Sequence, residues 1–223
     1  MSYQLLIFDW DGTLMDSAQK IANCIRASAL DLELEPPTEQ AAKNIIGLGL
    51  TEAMHILFPQ ASAEICSQLV ERYRYHWLVA DTTPQQLFAG VIDGLHSLDK
   101  NGCLLGVATG KSRVGLDRAF ADADIERLFT ITRCADETRG KPHPQMLEEI
   151  LEVTSIEPHK AIMIGDTTYD MEMAGHAGIA GLGVSYGVHS QYNLEQAGAI
   201  HCVHTFEELM GWFQEGRAEE AFS

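Results

Sequence analysis

Short apolar runs along the chain alternate with segments in which apolar residues recur every three or four positions. Six runs have the length and composition of buried strands: residues 4–10, 103–110, 129–136, 161–166, 180–187 and 199–204. Helical spacing predicts helices over 91–100, from Ser112, over 144–153, up to Ala177 and from Phe206. This alternation is typical of an α/β fold in which helices cover both faces of a parallel sheet.

Residues 17–82 interrupt that alternation with helical patterns alone. Ile21 and Ile25 recur at helical spacing, as do Leu69 and Tyr73, and the Pro-Pro-Thr segment at 36–38 predicts a break with Thr38 as a helix N-cap. Because the block directly follows the first strand, we expect it to lie over the carboxyl ends of the strands, where open α/β sheets bind ligands. The predicted division is a core of residues 1–16 and 83–223 with a helical cap of residues 17–82.

Two carboxylates lie at the end of the first predicted strand, at a spacing that brings their charges close together. Asp9 and Asp11 lie two positions apart, and side chains at that spacing share one side of an extended chain. Like charges at close range repel each other. We therefore expect a cation or a shared proton between them.

Further polar residues end the other predicted strands, and carboxyl ends of parallel strands share one edge. Asp9, Asp166 and Asp170 offer the hard oxygen ligands that suit Mg²⁺. The Thr109 hydroxyl and the Lys141 ammonium are suited to hold a phosphoryl group. In this chemistry Asp9 is the nucleophile that forms an aspartyl-phosphate, and Asp11 protonates the leaving oxygen and later deprotonates water. Gly12 and Gly110 let the backbone approach the phosphate closely.

Four motifs in this order resemble those of the haloacid dehalogenase superfamily, in the branch with a small helical cap. They read DWDGTLMDS, VATGK, KPHP and GDTTYD, and the tail GVSYG is similar to phosphoglycolate-phosphatase-like members. The resemblance covers nearly the whole chain. It implies a Rossmann-like core, Mg²⁺ dependence, a nucleophilic Asp9, an acid/base Asp11 and a metal contact from the backbone carbonyl of Asp11. Dehalogenases proper lack the second aspartate, so Asp11 argues against dehalogenation.

The chain departs from the family pattern at the junction that leads from the cap into the core. The family commonly has an aromatic residue followed by Pro-Gly there, whereas this chain has Phe88-Ala89-Gly90. The departure concerns the stiffness of a hinge and leaves the chemistry untouched. Asp16 is a candidate residue of that hinge.

Some candidate residues have two interpretations that the sequence leaves open. Lys111 and Arg113 are either extra phosphate ligands or solvated cations at a helix start. The segment Gly47, Leu48, Gly49 and Leu50 is either the substrate loop of the cap or a plain turn between helices. His143 is a candidate orienting residue beside the phosphate-binding lysine. His201 and His204 do not predict a metal site, because they point to opposite faces of a strand.

The composition of the chain limits which binding partners and which cellular location are expected. The 223 residues carry a net charge of −17 with no basic cluster, which argues against binding to nucleic acid or to an anionic membrane. The five cysteines are scattered and form no CxxC motif, which favours reduced thiols in the cytosol. No signal peptide or long apolar segment is recognisable, so a cytoplasmic location is expected.

These observations predict a cytoplasmic, Mg²⁺-dependent phosphatase acting on a small soluble phosphate monoester. By family analogy alone, phosphoglycolate-like compounds and pyrophosphate are candidate substrates. A phosphomutase resembling β-phosphoglucomutase is the alternative, because it uses the same pair of aspartates. A non-catalytic phosphometabolite-binding protein is a more distant alternative, since such a chain should have lost part of the site. The sequence leaves a monomer and a homodimer open.

Overall fold

The computed structural model describes residues 3–220, which contain a six-stranded sheet and a separate two-stranded one. The strands are β1 (Leu5–Phe8), β2 (Met15–Asp16), β3 (Gln86–Leu87), β4 (Leu104–Thr109), β5 (Ile131–Cys134), β6 (Ala161–Gly165), β7 (Ala180–Val184) and β8 (His201–Val203). The large sheet has the order β5-β4-β1-β6-β7-β8, and all of its pairs are parallel. All six predicted strands are therefore confirmed, with shorter bounds.

Ten α-helices accompany the strands within residues 3–220. They are α1 (Ala18–Asp31), α2 (Glu39–Asn44), α3 (Leu50–Leu57), α4 (Ala63–Tyr75), α5 (Val91–Lys100), α6 (Arg113–Ala123), α7 (Gln145–Thr154), α8 (Thr168–Ala177), α9 (Gln191–Gln196) and α10 (Phe206–Glu220). The predicted helices between 91 and 177 and the one from Phe206 are confirmed. Within the same residues, no helix combines the length and the apolarity that crossing a membrane requires.

Alternating side chains of the central strand enter two different cores. Leu6 and Phe8 pack with residues of α5, α6 and α10 on one face of the sheet. Leu5 and Ile7 pack with residues of α7 and α8 on the other face. Every residue of β1 is buried, as expected for a parallel strand covered on both sides. The predicted fold class, a parallel sheet with helices on both faces, is confirmed.

The helices α1 to α4 follow β2 in the chain and surround a third apolar cluster of their own. Ile25 and Leu69 are fully buried there, as their helical spacing predicts. Thr38 caps α2 by accepting a hydrogen bond from the N–H of Ala41 at 3.1 Å, and five residues of π-helix, His76–Ala80, extend α4. The helical insertion after the first strand is thus present, while its bounds as a domain stay a prediction.

A small antiparallel ribbon joins the two ends of the helical insertion. Met15 of β2 pairs with Leu87 of β3, and Asp16 pairs with Gln86. The sequence did not predict this ribbon, because two residues per strand are too few to show a period. The short helix α9 was missed for a similar reason. Asp16 lies at the junction where its candidate hinge role requires it.

Candidate active site

Three adjacent strands bring polar side chains to one point of the sheet edge. β1 lies between β4 and β6; the chain builds the sheet outward from β1 through β4 to β5, and then crosses to the other side of β1 to form β6, β7 and β8. Asp9 follows β1, Thr109 ends β4 and Asp166 follows β6, and all three are fully buried. This is the switch point at which parallel α/β sheets form a crevice for ligands.

Asp9, Lys141, Asp166 and Asp170 form a group that we call the inner cluster. Nζ of Lys141 lies 2.8 Å from Oδ1 of Asp9 and 2.6 Å from Oδ1 of Asp170, and these side chains are at most 1% exposed. One carboxylate oxygen from each of the three aspartates lies within 4.8 Å of the others. Three carboxyl groups therefore share one ammonium group, which cannot balance the charge of all three when they are ionised.

The carboxylate oxygens of the inner cluster differ in the number of hydrogen-bond donors that they have. Asp166 accepts hydrogen bonds from the hydroxyl of Thr13 (3.0 Å) and the N–H of Val188 (2.8 Å). Oδ2 of Asp170 accepts from the N–H and hydroxyl of Thr167, which caps α8. Oδ2 of Asp9 has no hydrogen-bond donor among residues 3–220. A buried carboxylate oxygen without a donor is a suitable ligand atom for a cation.

Burial dominates the electrostatics of this cluster. It raises the pKa of Asp9 to about 7, although the nearby Lys141 ammonium acts in the opposite direction and the Asp170 charge adds to the rise. Burial also raises the pKa of Asp166 well above its usual range, with the Asp9 charge as a further cause. The two acidic neighbours keep the pKa of Lys141 above its usual value despite burial. A second cation would hold both acids in their ionised form.

Two glycines at the site leave no room for a side chain. Gly12 has φ of +83°, and a Cβ atom there would lie 2.1 Å from Oδ2 of Asp166. A Cβ atom on Gly110 would lie 2.5 Å from the carbonyl oxygens of both Gly47 and Leu48. The backbone after β1 thus approaches a cluster carboxylate, and the backbone after β4 approaches the helical insertion.

Asp11 belongs to a separate group, the outer cluster, with Ser17, Lys111 and Trp77. Oδ1 of Asp11 accepts a hydrogen bond from the hydroxyl of Ser17 at 2.6 Å and lies 3.0 Å from Nζ of Lys111. That ammonium also lies over the ring of Trp77, 4.7 Å from its centroid. A cation or a shared proton between Asp9 and Asp11 was expected. In the structure the chain turns after Asp9 and does not stay extended, and the two carboxylates contact different lysines.

The predicted substrate loop of the cap, residues 47–50, contacts the core mainly through its backbone. The carbonyls of Gly47 and Leu48 approach Gly110, while the Leu48 side chain packs inside the apolar cluster of α1 to α4. Gly49 precedes α3 and faces Ala135 of the core. Leu50 is the first residue of that helix. The segment is both a turn between helices and a contact with the phosphate-loop candidate Gly110.

The remaining candidates have other partners in the described residues. Arg113 forms ion pairs with Asp117 and Glu137, and Nδ1 of His143 accepts a hydrogen bond from the N–H of Gln145. His201 and His204 take no part in the metal-type cluster found among residues 3–220. The roles of Arg113 and His143 therefore stay predictions.

Sequence reasoning missed several contacts that shape the site. Ser17, Trp77 and Thr13 were not singled out, although Thr13 lies inside the first motif. The tail that resembles phosphatase relatives holds a usable signal: a Cβ atom on Gly187 would lie 2.3 Å from Cβ of Asp166. The neighbouring Tyr186 donates its hydroxyl to the carbonyl of Thr13 at 2.9 Å. This tail therefore closes the crevice around Asp166.

Comparison with known proteins decides the family. The haloacid dehalogenase-like hydrolase family model matches residues 6–184 of the chain. The chain belongs to this family. The match includes both clusters and the helical insertion, so the resemblance seen in the four motifs is confirmed.

Relatives of this haloacid dehalogenase-like hydrolase include phosphatases. It is 32% identical over 211 residues to the probable phosphatase IndB of Dickeya dadantii, covering 93% of this chain and 92% of the relative. It is 25% identical over 215 residues to a phosphoglycolate phosphatase of Colwellia psychrerythraea, at 93% and 95% coverage. A crystal structure of a predicted phosphatase from Clostridium acetobutylicum superimposes with a TM-score of 0.86 at 25% identity, covering 96% of this chain and all of that one. The predicted enzyme class, a haloacid dehalogenase-like phosphatase, is confirmed.

Proposed function

We propose that the protein hydrolyses a small soluble phosphate monoester with Mg²⁺ as cofactor, through an aspartyl-phosphate on Asp9. The observation that carries the proposal is the surroundings of Asp9. One of its oxygens faces the buried ammonium of Lys141, and the other has no donor among the described residues. A nucleophile needs such a free oxygen, and a phosphoryl group needs such a cation.

The donor set fits a magnesium ion, which prefers oxygen ligands. Asp9 and Asp166 would hold it, together with the backbone carbonyl of Asp11 that the family resemblance implies. Asp170 was predicted to tighten the shell. Its two oxygens already contact Thr167 and Lys141, so its support would act through those neighbours. When bound, the ion supplies positive charge that keeps the carboxylates ionised and stabilises charge on the phosphoryl oxygens.

Asp9 and Asp11 divide the two chemical steps. In the first step a carboxylate oxygen of Asp9 forms a bond to phosphorus while the bond to the ester oxygen breaks, and Asp11 gives its proton to that leaving oxygen. In the second step Asp11 takes a proton from water. The water oxygen then bonds to phosphorus and releases Asp9. The hydrogen bond from Ser17 holds the Asp11 side chain toward the outer cluster.

The phosphoryl oxygens would be bound by backbone and side-chain donors of the sheet edge. Thr109 and Lys141 are buried beside Asp9, and Gly12 and Gly110 present backbone without a side chain. Lys141 offsets repulsion between the carboxylates and a dianionic ester. A close approach of the helical insertion to Gly110 would exclude water from the reaction.

Phosphoglycolate-like esters and pyrophosphate are the candidate substrates within this proposal. Relatives named phosphoglycolate phosphatase support the first class. A small soluble metabolite of this kind also fits a cytoplasmic location.

A panel of phosphate esters incubated with the protein and Mg²⁺ tests the proposal through release of inorganic phosphate. We expect turnover with Mg²⁺, none in excess chelator, and inhibition by Ca²⁺, which takes more ligands at longer distances. Rearrangement of a sugar phosphate without release of phosphate would instead identify a phosphomutase. Binding without either reaction would contradict the proposal.

A further inference from the structure

Two lysine ammonium groups lie over one tryptophan ring where the helical insertion meets the sheet edge. The ring belongs to Trp77 in the π-helical turn after α4. Nζ of Lys111 is 4.7 Å from its centroid, and Nζ of Lys20 is 5.2 Å from it. One ammonium comes from the core and the other from α1. Like charges on one ring repel each other, and a cation–π contact contributes only about 0.5–1 kcal/mol at an exposed site.

Neighbouring acids do not use up the binding capacity of these ammonium groups. The contact of Lys111 with Asp11 engages one of the three N–H donors of an ammonium group. Nζ of Lys20 lies 3.5 Å from the carbonyl oxygen of Asp81 and forms no ion pair with a carboxylate among the described residues. An additional anion placed near both ammonium groups would be stabilised by each of them.

The lysine pair lies beside the group that protonates the leaving oxygen. A general acid must come within about 2.6–3.2 Å of the oxygen that it protonates, so the atoms attached to that oxygen lie close to Asp11 and Lys111. Tyr73 stacks on Trp77 with ring centroids 5.9 Å apart. Burial and the Asp11 charge raise the pKa of its phenol. Lys111 thus links Asp11 to a group formed by the rings of Trp77 and Tyr73 and the ammonium of Lys20.

We propose that Lys111, Lys20 and Trp77 form a pocket that selects phosphate esters whose leaving group carries a carboxylate. This inference rests on the proposed phosphatase function and assigns the selectivity of the same site to residues that both the insertion and the core supply. Lys111 is the main determinant, because it contacts both Asp11 and Trp77. Lys20 adds charge, and the Trp77 ring holds the two ammonium groups at the pocket. A neutral alcohol gains nothing from either cation.

The test compares two esters that differ only in charge: the phosphate ester of a short hydroxycarboxylic acid and that of the corresponding hydroxyamide. With the wild-type protein and Mg²⁺, kcat/KM measured by phosphate release should favour the acid by at least about tenfold, the contribution of a hydrogen bond to a charged group. In Lys111→Gln this preference should fall about tenfold or more. Lys20→Gln should lower it about threefold, and Trp77→Leu should lower it without changing any charge.

Matched variants separate selection of the anion from other roles of Lys111. Lys111→Arg keeps the charge and should keep most of the preference. Lys100→Gln removes an exposed core lysine, and Lys43→Gln removes a cap lysine paired with Glu39; both should leave the preference unchanged. Equal losses for acid and amide in Lys111→Gln would show that the lysine serves only Asp11. That result, or a wild-type protein that does not prefer the acid, would overturn the proposal.

Binding provides a measurement that does not depend on turnover. Isothermal titration with phosphonoacetate and phosphonoacetamide, in the presence of Mg²⁺, compares a carboxylate with its neutral amide on a group that cannot be hydrolysed. We expect tighter binding of the carboxylate, and we expect Lys111→Gln to remove the difference. This result without hydrolysis of any ester would refute the proposed function but keep the pocket. Equal affinities for the two probes would refute the pocket itself.

Discussion

Asp9 and Asp11 are two positions apart in the chain but lie in contrasting surroundings. Asp9 belongs to the inner cluster. Its lysine is fully buried, and every member of the cluster lies outside the helical insertion. Asp11 belongs to the outer cluster, where the side chain of Lys111 retains 12% exposure and the opposing ring comes from the helical insertion. One turn of backbone thus places similar ion pairs in two environments.

The difference assigns separate tasks to the two clusters. A group that forms a covalent bond to phosphorus benefits from rigid, dry surroundings in which charges interact strongly. A group that exchanges protons with leaving groups and water needs access to both. Under the proposed function, the inner cluster would therefore determine which reaction takes place, whereas the outer cluster would meet the variable part of the substrate.

The sharpest test replaces each carboxylate by its amide. Asp9→Asn removes the nucleophile, so turnover should vanish for every ester. Asp11→Asn removes only proton transfer, which is typically worth 10²–10⁴-fold. Its loss should be smaller in the first step with a nitrophenyl ester, whose leaving group needs no proton. Rapid-quench labelling with phosphorus-labelled substrate should show phosphoenzyme in Asp11→Asn and none in Asp9→Asn.

A covalent phosphate in Asp9→Asn would contradict the assignment. So would equal rates of the two variants with the nitrophenyl ester, because a nucleophile and a proton donor cannot contribute identically to that reaction.

The two lysines provide the next comparison. Lys141→Ala should reduce kcat by about 10²–10³-fold with every ester, the range found when one charge-stabilising donor is removed from an active site. Lys111→Ala should have a smaller effect that depends on the ester. Steady-state kinetics on a charged and a neutral ester measure both. A loss of only two- to threefold in Lys141→Ala would place that lysine outside the reaction, and thermal melts would show whether each variant is folded.

Much of this contrast could be predicted from the residues at the strand ends. Recognisable buried strands end at or next to Asp9, Thr109 and Asp166. The carboxyl ends of adjacent parallel strands lie at the same edge of the sheet, so these side chains come together. The complete burial of the Lys141 side chain could not be predicted, because this residue lies in a loop and contacts two acids that are distant from each other in sequence. The environment of Asp11 was also missed. The alternation rule assumes an extended chain, whereas the backbone turns directly after Asp9.

The position of Trp77 shows a second limit of the sequence. Trp77 lies four positions after Tyr73, which is the spacing of one helical face, and the two rings stack. Which surface the face would meet depends on how the insertion lies over the sheet, and no local period encodes that arrangement. Lys111 likewise had two open interpretations, and its contacts with Asp11 and Trp77 depend on the same arrangement.

The contact between the helical insertion and the core can be disturbed by a substitution at Gly110. Gly110→Ala places a methyl group 2.5 Å from two carbonyl oxygens of the insertion, so the insertion must withdraw. Because small misplacements at an active site can reduce rates up to about 10²-fold, we expect kcat to fall on the order of tenfold to a hundredfold. Gly175→Ala is the matched control, since its added atom meets nothing within 4 Å. Equal kinetics of the two variants would show that this contact is not needed for turnover.

The smallest expected effect concerns the stability of the metal-free protein. Folding raises the pKa of Asp9 to about 7, so the folded state keeps a proton that the unfolded chain loses above about pH 4. Stability therefore falls as pH rises from about 4 to 7. Asp9→Asn removes this penalty and should raise the melting temperature at pH 7.5 by a few degrees, with little gain at pH 4.5.

Thermal melts in chelator at the two pH values measure this effect. A variant that melts below the wild type at pH 7.5 would show that the ion pair with Lys141 outweighs the burial of the Asp9 charge. Added Mg²⁺ should raise the melting temperature of the wild type more than that of the variant.

The ribbon of β2 and β3 makes the helical insertion a side branch of the chain. The core sequence stops at Met15 and resumes at Leu87, its direct ladder partner, so nothing in the sheet depends on the length of the segment between them. Each doubling of such a segment adds only about 0.6 kcal/mol to the entropy of closing it. We therefore expect the junction to tolerate insertions of different length without redesign of the sheet.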